Sequence, residues 1–213
     1  MFRSPINNVI VSVTTKYIRN FSDILKMSAI QDGSTIEPMD YVNIIGEVVS
    51  VPKIVSYKRD YKGFSTEDIK VGDKAIFSYM VIGTTVQKEP DAEPIFKNLI
   101  NYRDKEYWAV DIRELFAVIR DGVIRMQNGY IMVEEMKKSP IIYLMQDTKK
   151  ANNTASAVVS HSRSNGIAPL DRIYFNPNKI QIYQINGKPF GIVREKDVLG
   201  KEILSYKEIA SLN

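Results

Sequence analysis

Few side chains in this sequence could do covalent chemistry. It has no cysteine and a single histidine, His161. The first fact excludes disulfides, thiolate nucleophiles and cysteine zinc sites, and the second argues against an all-protein transition-metal site or a Ser-His-Asp triad. Two carboxylate pairs, Glu134-Glu135 and Asp111 with Glu114, have no further acid, ligand or nucleophile at a spacing that general acid–base work would use. The run His161-Ser162-Arg163-Ser164-Asn165-Gly166 has the polarity of a phosphate-binding turn. It lacks the Gly-Lys-Ser/Thr ending and the following helix that cradle a phosphate, so it reads as a polar hairpin. The expectation is a protein that is not an enzyme, with no catalytic residue, no cofactor and no metal.

Non-covalent recognition is the remaining chemistry. Between Lys53 and Lys62 the chain carries Tyr57, Lys58, Arg59 and Tyr61, a composition also used to stack and neutralise single-stranded nucleic acid. A solvated loop is the preferred reading. Lys and Arg total 29 against 25 Asp and Glu, a net charge of +4, but the basic residues are scattered singly among acids. Nucleic acid is therefore expected at most as non-specific passage through a pore. No run of eighteen apolar residues occurs, and Met1 to Val13 alternates apolar with polar residues instead of carrying a basic stretch and an apolar block. Neither membrane insertion nor a signal peptide is expected.

The elements that would position any site are strands. Hydrophobic residues make up 44% of the chain and charged residues 25%, enough to bury a core. Val9, Val11 and Val13 alternate with Ile10, Ser12 and Thr14, which predicts a half-buried strand. Ile44 to Val51, Lys74 to Ile82, Tyr107 to Val110 and Leu115 to Ile119 read the same way, each bounded by Gly, Pro, Asp or Asn. Short helices are expected at Phe21 to Ala29, Asp91 to Asn101 and Ser205 to Leu212, the last with a Ser205/Glu208 capping box.

The second half repeats the first in order. Asn8-Val9-Ile10-Val11 matches Gly129-Tyr130-Ile131-Met132 at an offset of 121, and Glu47-Val48-Val49-Ser50 matches Ala157-Val158-Val159-Ser160 at 110. Gly72 to Phe77 matches Leu170 to Phe175 at 98, and Ala109 to Phe116 matches Ile192 to Leu199 at 83. Shrinking offsets with preserved order mean that strands were kept while connections shortened. The boundary is placed at Asp121-Gly122, a natural turn. It separates a first unit, residues 1–121, with long loop insertions, from a shorter second unit, 122–213.

Each unit resembles the GroES-like co-chaperonin family. In the first, the motifs are Val9 to Val11, Gly46-Glu47-Val48-Val49-Ser50-Val51, Val71-Gly72-Asp73-Lys74-Ala75-Ile76-Phe77 and Asp111 to Ile119. The second keeps Asp171 to Phe175 and Arg194 to Leu199, but has Leu170 where the family has glycine and Ala157 at the Gly-Glu pair. The resemblance implies a mainly all-β fold: two tandem GroES-like, partly open β-barrels with long loops and a few short helices. At Gly72-Asp73 the residues themselves predict a positive φ followed by a carboxylate bonding nearby backbone amides, a structural and not a catalytic role.

Family members build closed rings in which terminal strands pair with the neighbour; here Val9 to Val13 and Leu115 to Ile119 could serve. They also carry a loop after the first strand whose aliphatic run docks onto a chaperonin. The corresponding stretches are Ser22-Asp23-Ile24-Leu25-Lys26-Met27 and Ser139-Pro140-Ile141-Ile142-Tyr143-Leu144-Met145. Ile24, Leu25, Ile141 and Ile142 are thus either partner anchors or residues packed on their own barrel. The loop lacks the family's paired glycines. The tandem arrangement without a transit peptide fits a bacteriophage that uses the barrel as building material, located in the virion or in the host cytoplasm. The expected partners are further copies of the chain, other ring or connector proteins, or alternatively a chaperonin.

Overall fold

A computed structural model describes residues 3–13, 44–56, 64–83, 85–86, 95–134, 155–185 and 188–204. The described chain is mostly strand, in two compact units, Met1–Val123 and Ile124–Asn213. In chain order the first antiparallel sheet uses β1 (Asn8–Ser12), β2 (Ile45–Ser50), β3 (Lys74–Phe77), β6 (Leu99–Tyr102), β7 (Lys105–Asp111), β8 (Leu115–Arg120) and β9 (Val123–Met126). A short helix α1 (Met80–Gly83) and a two-residue ribbon of β4 (Thr85–Val86) with β5 (Ile95–Phe96) lie between β3 and β6. The second sheet uses β10 (Tyr130–Glu134), β11 (Ala155–His161), β12 (Asp171–Phe175), β13 (Gln181–Ile185), β14 (Lys188–Arg194) and β15 (Val198–Ile203).

The sheets run β6-β7-β1-β2-β3-β8-β9 and β13-β14-β10-β11-β12-β15. Apart from β9 the two orders are the same, and neither sheet closes. Cross-strand pairs fix the correspondence to the residue. Val9 opposes Val110 as Ile131 opposes Val193, and Glu47 opposes Lys74 as Val158 opposes Arg172. Both copies bulge at the same two places, after Ile10 and Met132 and after Ile76 and Tyr174. Such bulges bend a sheet. Hydrogen bonds recur too: Gly72 N donates to Val48 O and Leu170 N to Val159 O, both at 2.8 Å.

These pairings correct the sequence alignment at two strands. Val9 corresponds to Ile131, an offset of 122 and not 121; Val48 corresponds to Val159, an offset of 111 and not 110. Offsets 98 and 83 stand. A fifth repeated piece extends the 83 offset: the β6–β7 hairpin, with Ile100 opposite Tyr107, matches β13–β14, with Tyr183 opposite Phe190. Residues 99–101 therefore form strand where a helix was expected over Asp91 to Asn101. The strand expected from Lys74 to Ile82 stops at Phe77, because the Ser78 hydroxyl accepts from Met80 N and turns the chain into α1. The helices expected at Phe21 to Ala29 and Ser205 to Leu212 lie outside the described residues.

β1 is not half-buried: Val9, Ile10 and Val11 are all fully buried. It lies between β7 and β2, and both its faces are covered. The second unit's core is built by Ile131, Val133, Val159, Ile173, Phe175 and Val193 with their neighbours. The pairings place Val9, Val11, Val48, Ala75, Phe77 and Val110 at the same positions of the first unit, where all are buried. One position differs sharply. Fully buried Trp108 packs edge-on against Phe96, with centroids 5.7 Å apart, whereas its counterpart is Gly191. A Cβ there would sit 2.5 Å from Ile180 Cδ1 and 2.6 Å from Val133 Cγ2. Ile180 occupies the space that the first unit gives to an indole.

Candidate assembly interface

The four residues expected to anchor a partner, Ile24, Leu25, Ile141 and Ile142, lie outside the described residues, as does the basic-aromatic stretch from Tyr57 onward. The residues considered for chemistry have structural duties. Asp111 Oδ1 accepts from Arg113 N at 2.9 Å, capping a single 3-10 turn at Ile112–Glu114, and both its oxygens accept from the Arg113 guanidinium. Glu134 is exposed at the end of β10, and Glu135 is outside the described residues. His161 Nδ1 lies 3.1 Å from Ser160 Oγ, which donates to Met132 O. In the loop after β11, Ser164 Oγ donates to Glu195 and accepts from Gly166 N. No cluster of three or more metal-ligating side chains occurs among the described residues.

Asp73 does what its place after Gly72 predicts. Its Oδ2 accepts from Lys70 N at 2.7 Å, and Asp171 Oδ2 accepts from Ala168 N at 2.9 Å. The partner of Asp73 was not foreseeable from spacing. Arg120, at the far end of β8, donates from Nε and Nη2 to both carboxylate oxygens at 2.7 Å. This bidentate pair holds the buried carboxyl below the usual carboxylate range, against the opposing effect of burial.

The sheet edges carry the chemistry that remains. Val9 to Val13 and Leu115 to Ile119, expected to join neighbours laterally, cannot do so as edges: β1 is paired with β7 and β2, and β8 with β3 and β9. Among the described residues, the two large sheets end on β6 and β9 and on β13 and β15.

β15 is the most distinctive of these. Its counterpart β8 is buried from Leu115 to Val118, whereas β15 is exposed from Leu199 to Ile203. Leu199 is the extra residue of the β12–β15 bulge, as Phe116 is of β3–β8. Leu199 is 69% exposed and Ile203 77%.

The charged residues of β15 are engaged within the sheet. Lys201 Nζ is 3.2 Å from Asp171 Oδ2, and Glu202 accepts from the Tyr174 hydroxyl at 2.8 Å and from Arg172 at 3.4 Å. The Glu202 carboxylate accordingly raises the Tyr174 hydroxyl above the ordinary phenol range. The side chains left facing solvent without a polar task are Leu199 and Ile203. The signal was available in the sequence: against Val118-Ile119, the second copy has Lys201-Glu202, the kind of charge placed on strands that end a sheet.

The sequence matches no protein-family model and no curated protein. No helix among the described residues is long and apolar enough to cross a membrane.

Proposed function

We propose that this protein is a non-enzymatic, ring-forming structural component of a large assembly, its two units being GroES-like, with a bacteriophage collar, connector or tail ring as the setting. One observation carries the reading: a strand buried on both faces in the first unit is repeated in the second with no strand beyond it among the described residues and with Leu199 and Ile203 exposed. An open edge with apolar side chains is a template for another strand. When each copy offers one edge and uses another, repeated head-to-tail contact closes into a ring if the rotation allows. The mechanism is then geometric: edge strands are completed by adjacent copies, and the long connections of the first unit reach adjoining components. The second reading, a tandem co-chaperonin capping a chaperonin, is favoured by the aliphatic runs at Ile24-Leu25 and Ile141-Ile142 after the first strand of each unit.

Mass photometry of the full chain tests the shared premise: a closed oligomer supports it, and a monomer at micromolar concentration defeats it. Detection in purified virions without chaperonin capture selects the structural role. Chaperonin capture that is lost in Ile24→Asp and Ile141→Asp selects the second.

A further inference from the structure

The first unit has a groove that the assembly reading leaves unused, with a volume of about 590 Å³. Its walls are apolar, with Ile6, Ile54 and Val71 each more than half exposed. Among the described residues that line it, Arg3 and Lys53 are the charged ones, and both are cationic. Ser4 also lines it, and the Ser4 hydroxyl is buried with no hydrogen-bond partner among the described residues. A polar group left in that state calls for an acceptor.

The walls are fixed in place. Ser4 N donates to Ser50 Oγ at 3.1 Å, and the Asn7 side chain clamps the facing segment twice, donating to Ser56 O at 2.7 Å and accepting from Ser56 N at 2.6 Å. Proline at positions 5 and 52 further restricts both sides. The second unit shows that this is not a necessity of the fold. There Gly129 replaces the Asn7 clamp, and Ser162-Arg163-Ser164-Asn165 stands where the first unit has Val51-Pro52-Lys53-Ile54.

We propose that this groove binds a small amphipathic carboxylate: an aliphatic chain along Ile6, Ile54 and Val71, its anionic head between Arg3 and Lys53. A preformed, mainly apolar concavity with a few polar groups at one side is the usual form of a small-ligand site. The pair of cations, with no acid among the described lining residues, selects a negative head.

The test uses the full ¹⁵N-labelled protein titrated with decanoate, decanol and decylamine below their aggregation concentrations. The expected result is saturable amide shifts grouped at Ser4, Ile6, Val51, Ile54 and Val71. Decanoate should bind at least fivefold more tightly than decanol, and decylamine more weakly still. Arg3→Gln with Lys53→Gln should remove the preference for decanoate over decanol, and Val71→Asp should weaken decanoate at least fivefold. The three substituted positions are exposed, so the spectrum away from the groove should be unchanged. Shifts scattered over the surface, equal binding of decylamine, or a preference that survives the double substitution would each overturn the proposal. Ring assembly is read separately by mass photometry, so either idea can fail alone.

Discussion

Single residues show where the two copies fit their shared backbone well and where they do not. Gly72 has a φ of +92°, and Leu170 holds the equivalent place at +71°. A Cβ in that region costs roughly 1–2 kcal/mol, and Leu170 is about half exposed, so it recovers little by burial. Leu170→Gly should therefore stabilise the second unit by about 1 kcal/mol, read as a higher urea midpoint at unchanged slope. A lower midpoint would refute this. Asp73 makes the opposite point. Its folded pKa is depressed by Arg120, so the pair contributes fully above the ordinary carboxylate value of about 3.9, and its contribution fades as pH falls below that. Asp73→Asn should lower stability at pH 6 and reduce the further loss on going to pH 3, both measurable by urea unfolding. The local bond to Lys70 N was legible in the turn motif. The Arg120 contact was not, because only strand pairing brings the end of β8 to the start of β3.

At the scale of elements, the repeated strands could be found in the sequence, but the register of β1 could not. Register is normally read from alternation, since a one-residue slip exchanges the faces. β1 is buried on both sides and reads Val9-Ile10-Val11 without interruption, so offsets of 121 and 122 look equally good. Hydrogen-bonded partners on β7 and β14 decide between them. The β6–β7 match is not legible in the sequence because Leu99-Ile100-Asn101-Tyr102 and Ile182-Tyr183-Gln184-Ile185 have no identical residue at any aligned position. Packing around the hairpin has also diverged, with Trp108 in one copy and Gly191 in the other. Gly191→Val should cost about 1–3 kcal/mol by overpacking against Ile180 and Val133. Adding Ile180→Ala should recover part of that loss. Additive losses in a double-mutant cycle would show that the two residues do not share one space.

For the whole molecule, the decisive asymmetry is that, among the described residues, one sheet ends on β9 and the other on β15. If copies join through β15 as proposed, Leu199→Asp with Ile203→Lys should leave only monomers in mass photometry. The melting temperature of the dissociated subunit should barely move, since exposed positions usually change stability by no more than about 0.5 kcal/mol. Phe116→Asp, at the buried equivalent of Leu199, should instead unfold the first unit, seen as a red-shifted emission of Trp108, the only tryptophan. An oligomer that survives the β15 substitutions would exclude that edge as the joint.

The sequence by itself determined the strand content, the duplication, the turn at Gly72-Asp73 and the absence of cysteine chemistry. Composition, period and turn chemistry are local properties that need no partner strand. Tertiary structure alone decided which strands end a sheet. The apolar runs Val9 to Val13 and Leu115 to Ile119 were expected as exposed borders, yet both are interior: neighbours on either side take a central strand's edges away from water, and where both faces are also packed over the strand is free to be apolar throughout. An edge strand such as β15 carries charge because one side meets water. Hydrophobicity therefore points to the middle of a sheet, and only the pairing order shows where the sheet stops.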